Sequence, residues 1–335
     1  MPLRMIETTP PGRWDRARIA VSFQLGARLS GWFRPTAFAT ASSEYATDDR
    51  RPDILLTRII QDLSRGGRYN LSPEMPKSRC YRCGSVATSK EHVPPKNLFP
   101  DDGASAGANY RLNLITVPSC DAHNSAKSSD DEFLMVCLAG IIGNNSVGYQ
   151  HGLGKVSRAV LASANHLLDR VLLEKWGTRR IMVANNQFVN VIWGTPDVAR
   201  LNRCFEHIAF GLHRHHFKQN FDGSVKVLPG YLVEFDHNRR TLIEWVRDRA
   251  ELDLVGKPKI GSNPAVFYYQ VSDPDQLGLY LMRLCFYEGL QVYVAFMPDG
   301  SSLPSNLVGL LIEGGVRTII TSGDKTYEFN PKTQD

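Results

Sequence analysis

Two short ligand pairs constrain this chain more than anything else in it: Cys80-x-x-Cys83 and, after the span from Gly84 to Ser119, Cys120-x-x-His123. Two intervening residues let a tight turn aim both donors at one ion, and two such turns complete a tetrahedron. Three thiolates and one imidazole form a usual structural zinc set, closed to further ligands. A minimal zinc ribbon separates its pairs by about 15–20 residues. Gly84 to Ser119 is longer, so another element is threaded between the two knuckles. The other cysteines, Cys137, Cys204 and Cys285, stand alone in apolar surroundings and read as small buried hydrophobes. Six unevenly spaced cysteines are too few for a disulfide scaffold in 335 residues. A reducing, cytoplasmic setting, where clustered cysteines hold metal, fits better.

Composition narrows the class further. At 42% hydrophobic and 22% charged, the chain reads as globular, which excludes collagen, coiled coil and wholesale disorder. Its net charge of +5 is mildly basic and compatible with a polyanionic partner. The basic excess is concentrated between Lys155 and Lys218, whereas Pro76 to Glu132 is balanced. The longest apolar run, Phe133 to Gly143, falls short of the roughly 20 residues that a membrane span needs. Asp130, Asp131 and Glu132 precede it, as acids do at the positive end of a buried helix.

The pattern along the chain predicts an α+β protein in three parts. Residues 1–75 read as a weakly structured arm, with one amphipathic helix marked by Ile54, Leu55, Leu56, Ile59, Ile60 and Leu63. Residues 76–150 hold the ligand pairs, with a short strand pattern from Leu112 to Val117. Residues 151–335 read as a separate α+β domain of no recognised family, left open to targeting, sensing or assembly. In it, Val156, Val160, Ala164, Leu167 and Val171 predict one long helix. Strands are predicted at Phe188–Trp193, Val225–Phe235, Val266–Val271 and Val292–Phe296. The cluster His207, His213, Arg214, His215, His216 and Lys218 reads as the solvated end of a helix starting near Pro196, with a basic face near nucleic acid and, behind it, a metal site as the other readings.

Between the knuckles stands Glu91-His92-Val93-Pro94-Pro95, then Leu112-Asn113-Leu114-Ile115-Thr116-Val117. After them comes Cys120-Asp121-Ala122-His123-Asn124-Ser125-Ala126-Lys127. An acid followed directly by His at a strand end, an Asn on the return strand, and Asn-x-x-Lys opening a helix form an ordered set. From Cys80 to about Glu132 the chain resembles the HNH endonuclease family, in its HNN variety, whose ββα-metal finger is often stapled by two zinc knuckles. That resemblance implies a nuclease domain at residues 76–150 with His92 as general base, since a neutral imidazole accepts a proton near neutral pH. It implies Glu91 and Asn124 as oxygen ligands of a catalytic Mg²⁺ or Mn²⁺. Asn113 would orient the His92 ring, with Thr116 the alternative in that role, and Lys127 would face a phosphate. The implied substrate is DNA ahead of RNA, and the implied setting is restriction, phage defence or a mobile element. No membrane partner is expected, and self-association is left open. A rival expectation keeps the zinc ligands alone: a non-enzymatic module that binds nucleic acid or a protein. Asp101 and Asp102 read as a solvated loop.

Overall fold

The structure is a computed structural model. It describes residues 19–22, 78–101, 108–125, 128–173, 176–184, 187–232, 236–300 and 307–331. The predicted helix at Ile54–Leu63 and most of the arm lie outside the described residues. Within the arm, β1 (Ile19–Ser22) pairs antiparallel with a strand far along the chain, Gln187–Gly194.

The chain is mixed helix and strand. The metal-pair region contains β2 (Ser89–His92), β3 (Thr116–Ser119) and the short α1 (Asp121–Ser125). β2 and β3 run antiparallel, with Glu91 opposite Val117 and His92 opposite Thr116. Then comes α2 (Ser128–Leu138), with Asp130 and Asp131 in its first turn and every residue from Phe133 to Leu138 buried. Phe133 to Leu138 therefore form the predicted interior helix with acids at its positive end, and the rest of the apolar run, residues 139–143, turns away beyond it. Asp130 does more than sit at that end, since its carboxylate takes a 2.7 Å ion pair from Arg200 Nε.

The single long helix predicted from Val156 to Val171 is instead a broken series. α3 (Ser146–His151) leads into a π-helical turn at Gly152–Val156, α4 (Ser157–Ala162) and α5 (His166–Val171). The break is local chemistry. Ala164 and Asn165 take left-handed φ values of 49° and 69°. The Ser163 hydroxyl donates to Val160 O and accepts from Leu167 N, ending one helix and opening the next. The apolar spacing survives the break, and Val156, Val160, Leu167 and Val171 are all buried.

β4 (Gly177–Ala184) and β5 (Gln187–Gly194) complete a three-stranded sheet in the order β1-β5-β4. α6 (Val198–Phe217) follows, opened by Asp197, whose side chain accepts from Arg200 N, and closed at Lys218, a left-handed residue at φ 59°. Next come β6 (Gly223–Pro229), α7 (His237–Asp253), β7 (Ile260–Asn263), β8 (Phe267–Val271), β9 (Tyr280–Phe286) and β10 (Leu290–Pro298). These strands form an antiparallel sheet in the order β6-β10-β9-β8-β7. β8 and the centre of β9 are buried on both faces, which explains their near-continuous apolar sequence. α8 (Leu307–Glu313) and the hairpin of β11 (Thr318–Ser322) with β12 (Lys325–Phe329) end the described chain.

The boundary expected near residue 150 falls inside a continuous core. Cys80, Tyr81, Val93 and Val117 belong to the same apolar cluster as α2, α6 and the sheet residues Phe286, Val292 and Phe296. Polar ties cross it too. Tyr287 Oη donates to Leu98 O at 2.6 Å, and Asn220 Nδ2 donates to Cys80 O at 2.9 Å. Arg82 stacks its guanidinium 4.0 Å from the centre of the Phe210 ring on α6. No helix among the described residues is long and apolar enough to cross a membrane.

Candidate metal centre and its surroundings

The first knuckle is built by the backbone. Cys80 N donates to Ser85 O at 2.7 Å, and Gly84 N returns to Cys80 O at 3.1 Å. Gly84 sits at φ 71°, a conformation that strains a residue with a Cβ. The second knuckle is the start of α1, where His123 N and Asn124 N both donate to Cys120 O, at 3.1 and 3.0 Å. Tyr81 N donates to Pro118 O at 2.9 Å and locks one knuckle against the other.

The result gathers the predicted ligands. The donor atoms of Cys80, Cys83, Cys120 and His123 all lie within 4.8 Å of one another. Tetrahedral zinc with bonds of about 2.3 Å to sulfur holds its sulfurs about 3.8 Å apart. Cys83 Sγ and Cys120 Sγ are 3.8 Å apart, while His123 Nδ1 lies 3.2 Å from Cys120 Sγ and 3.8 Å from Cys80 Sγ. Hydrogen bonds from Ser85 pull the exposed Cys83 thiol down to about 6, so the ligand form is present at neutral pH. The group could hold a metal ion such as zinc.

Strand alternation sorts the neighbouring residues. Ser89 and Glu91 leave β2 on one face and Lys90 and His92 on the other. On the first face Glu91 is buried, and its carboxylate accepts from Tyr81 Oη at 3.3 Å and from Ser119 Oγ at 3.2 Å. Asn124 joins this face through its Nδ2, which donates to Ser89 Oγ at 3.0 Å. Burial, reinforced by the Glu91 charge, pushes the Tyr81 hydroxyl far above its usual range, so it stays a donor. On the other face His92 is half-buried. Burial first, then the Lys96 charge, lowers its pKa, with Glu91 opposing, and the ring is neutral at physiological pH.

Not every expected residue falls beside this group. Asn113, predicted on the return strand, lies before it, exposed, in a left-handed turn at φ 52°. Its carbonyl accepts from Ser262 Oγ at 3.0 Å. Thr116, the alternative, stands directly across the ladder from His92. Lys127 lies outside the described residues. Asp101 is not merely solvated: it pairs with Arg111 and, at 3.7 Å, with Lys155. Asp102 lies outside the described residues. The histidine cluster does close the helix predicted from near Pro196, with His216 and Lys218 exposed, but His213 itself is buried, 4.7–6.1 Å ring to ring from Phe217, Phe221, Phe296 and Tyr280. Burial drives its pKa down to about 4. Among the described residues, Cys80, Cys83, Cys120 and His123 are the one group of such donors brought close enough for a metal. Tyr81, Ser89 and Ser119 were not singled out by the sequence; the one signal is that Tyr81 adjoins Cys80, Ser119 adjoins Cys120 and Ser89 stands two residues before Glu91, on the same strand face.

Comparison with protein-family models, with curated proteins and with solved structures returned no match for this chain.

Proposed function

We propose that the chain is a metal-dependent endonuclease of the HNH type, hydrolysing phosphodiester bonds of DNA. One observation carries the reading: a Cys₃His frame brackets a two-stranded ladder that carries Glu91 and His92, and Asn124 follows the last frame ligand and bonds back to that ladder. In this reading the frame residues hold zinc and only set geometry. Glu91 and Asn124 supply oxygens to Mg²⁺ or Mn²⁺, which when bound stabilises charge on the leaving oxygen. His92, neutral through burial, takes the proton from the attacking water on its unprotonated ring nitrogen. Thr116, opposite His92 in the ladder, is better placed than Asn113 to steady the ring. The family resemblance implies a 5′-phosphate and a 3′-hydroxyl as products, and a restriction, phage-defence or mobile-element setting. Exposed Arg79 and Arg82 on the first knuckle supply cations for the phosphate backbone.

The test is purified, zinc-loaded protein with Mg²⁺ or Mn²⁺ on plasmid DNA and on RNA, beside His92→Ala. Cleavage by the wild type alone is expected; equal cleavage by both proteins removes His92 from the chemistry. A specific observation favours a second reading, a non-enzymatic zinc module binding nucleic acid or protein: the Glu91 carboxylate faces inward and accepts two protein hydroxyls. Wild-type protein that binds nucleic acid yet cleaves neither DNA nor RNA selects that reading.

A further inference from the structure

Each metal knuckle sends one hydroxyl to the same carboxylate. Tyr81 directly follows Cys80 in the first knuckle, and its Oη donates to Glu91 Oε1 at 3.3 Å. Ser119 directly precedes Cys120 in the second, and its Oγ donates to Glu91 Oε2 at 3.2 Å. The three side chains are buried, with exposures of 1% for Tyr81, 0% for Ser119 and 7% for Glu91. A residue adjacent to a metal ligand moves with that ligand, so the hydroxyls are placed by the same turns that place the thiolates. Buried polar groups that lose a partner pay a desolvation penalty, so none of the three turns away freely.

We propose that Tyr81 and Ser119 are positioning residues that clasp Glu91 to the Cys₃His frame, linking zinc occupancy to the affinity of Glu91 for a hard divalent cation. The clasp itself stands on the hydrogen bonds alone; its consequence for the divalent cation rests on the nuclease reading. Coupling of this kind is reciprocal: whatever the zinc contributes to the Glu91 orientation, Glu91 returns to zinc affinity. Both bonds are long for a hydroxyl on a carboxylate, so each alone is modest, and the pair acts by restraining rotation of the carboxylate group from both of its oxygens. The device gives the protein a dependence on zinc beyond folding. Partial loss of the frame weakens the hard-cation site before the rest of the molecule unfolds.

Two measurements on the zinc-loaded full chain decide it. Zinc affinity, read by chelator competition, is expected to fall about tenfold in Glu91→Gln, the scale for groups that orient metal ligands. Mn²⁺ affinity, read from the free-ion magnetic resonance signal with Glu91→Gln as the baseline, is expected to fall about tenfold in Tyr81→Phe at unchanged zinc content. Tyr81→Phe keeps the ring in the core; Ser119→Ala is the second variant, and zinc content together with circular dichroism establishes that each is folded. Unchanged zinc affinity in Glu91→Gln overturns the clasp. Mn²⁺ affinity equal in wild type, Tyr81→Phe and Ser119→Ala overturns the link to the hard cation, while loss of cleavage in His92→Ala leaves the nuclease reading standing. A wild type that binds no Mn²⁺ above the Glu91→Gln baseline overturns both the link and the nuclease reading, while the zinc arm still judges the clasp.

Discussion

The hairpin that carries the metal pairs and the five-stranded sheet are held by different forces. In the sheet, β8, β9 and β10 bury Phe267, Tyr269, Leu284, Phe286, Val292, Val294 and Phe296 against α6, and further aromatic pairs line the same face. In the hairpin, two four-residue strands contribute Val117 and the buried Glu91, and the remaining order comes from backbone turns that converge on four metal donors. Apolar burial is spread over many small contributions and survives the loss of one. Ligand geometry is concentrated in four residues and fails as a unit. A function placed on the hairpin inherits that vulnerability.

Breaking the metal set should therefore separate the two regions most widely. Structural zinc is worth roughly 10–16 kcal/mol to a small finger at neutral pH. Cys80→Ser or Cys120→Ser is expected to abolish zinc binding and amide protection in Ser89–His92 and Thr116–Ser119. Hydrogen exchange should find β8 to β10 still protected in whatever protein remains soluble. Equal loss of protection in both regions would show that the sheet leans on the metal as heavily as the hairpin does.

The opposite cut is Phe286→Ala. Phe286 has no exposure and lies 4.9 Å from Phe267 and 5.9 Å from Phe205, ring to ring. Emptying such a site costs about 3–5 kcal/mol. Chemical denaturation should show that loss with zinc stoichiometry unchanged, since the ring's aromatic neighbours, Phe205 and Phe267, carry no metal donor. Protein that also sheds zinc would join the two regions into one cooperative unit.

Acid separates them by proton uptake. His213 and His151 are both buried, and burial lowers each to about 4 against an ordinary 6.5. The unfolded chain therefore binds these protons first. Stability from this source is full above about pH 6.5 and falls as pH drops toward 4, by about 1.4 kcal/mol per pH unit for each proton. His213→Leu should flatten that acid limb by one proton in an unfolding series from pH 7 to 4.5. An unchanged slope would place the titration elsewhere.

How much of this was legible in the sequence follows the same division. Metal pairing is a local pattern, and Cys80, Cys83, Cys120 and His123 converge as their spacing predicts, because two residues between ligands leave the turn little choice. Strands fall at the predicted runs Phe188–Trp193, Val266–Val271 and Val292–Phe296, and the last two were visible because buried strands are written in near-continuous apolar residues. Three things were not. The break at Ala164-Asn165 leaves the apolar period intact and depends on one serine hydroxyl, so periodicity passes over it. The burial of His213 depends on rings from residues 217, 221, 280 and 296, two of which lie more than sixty positions away. The shared core across residue 150 arises because Tyr287 reaches Leu98 and Asn220 reaches Cys80, contacts with no local signature. Asn113 belongs with these: the ladder register, which sets Thr116 opposite His92, is decided by pairing and not by residue type.

The smallest change acts where the two regions touch. Gly211 lies on α6 directly against the hairpin exit, and a Cβ built there would stand 2.8 Å from Val93 Cγ2. The close approach is what lets Val93, the residue after His92, bury itself completely on a helix that the sheet holds from the other side. Gly211→Ala faces two opposed effects. Alanine favours the helix by up to about 1 kcal/mol. The added methyl overpacks the contact, at a typical cost of about 1–3 kcal/mol. Because Val93 is β-branched and enclosed, it yields less readily than a flexible side chain, and a net loss of about 1 kcal/mol is expected in denaturant unfolding. The shift should appear as faster exchange at Val93 and His92 with α6 itself more protected. A stabilised protein with an unmoved hairpin would mean that the hairpin rides on the helix loosely, and that His92 takes its position from the metal frame alone.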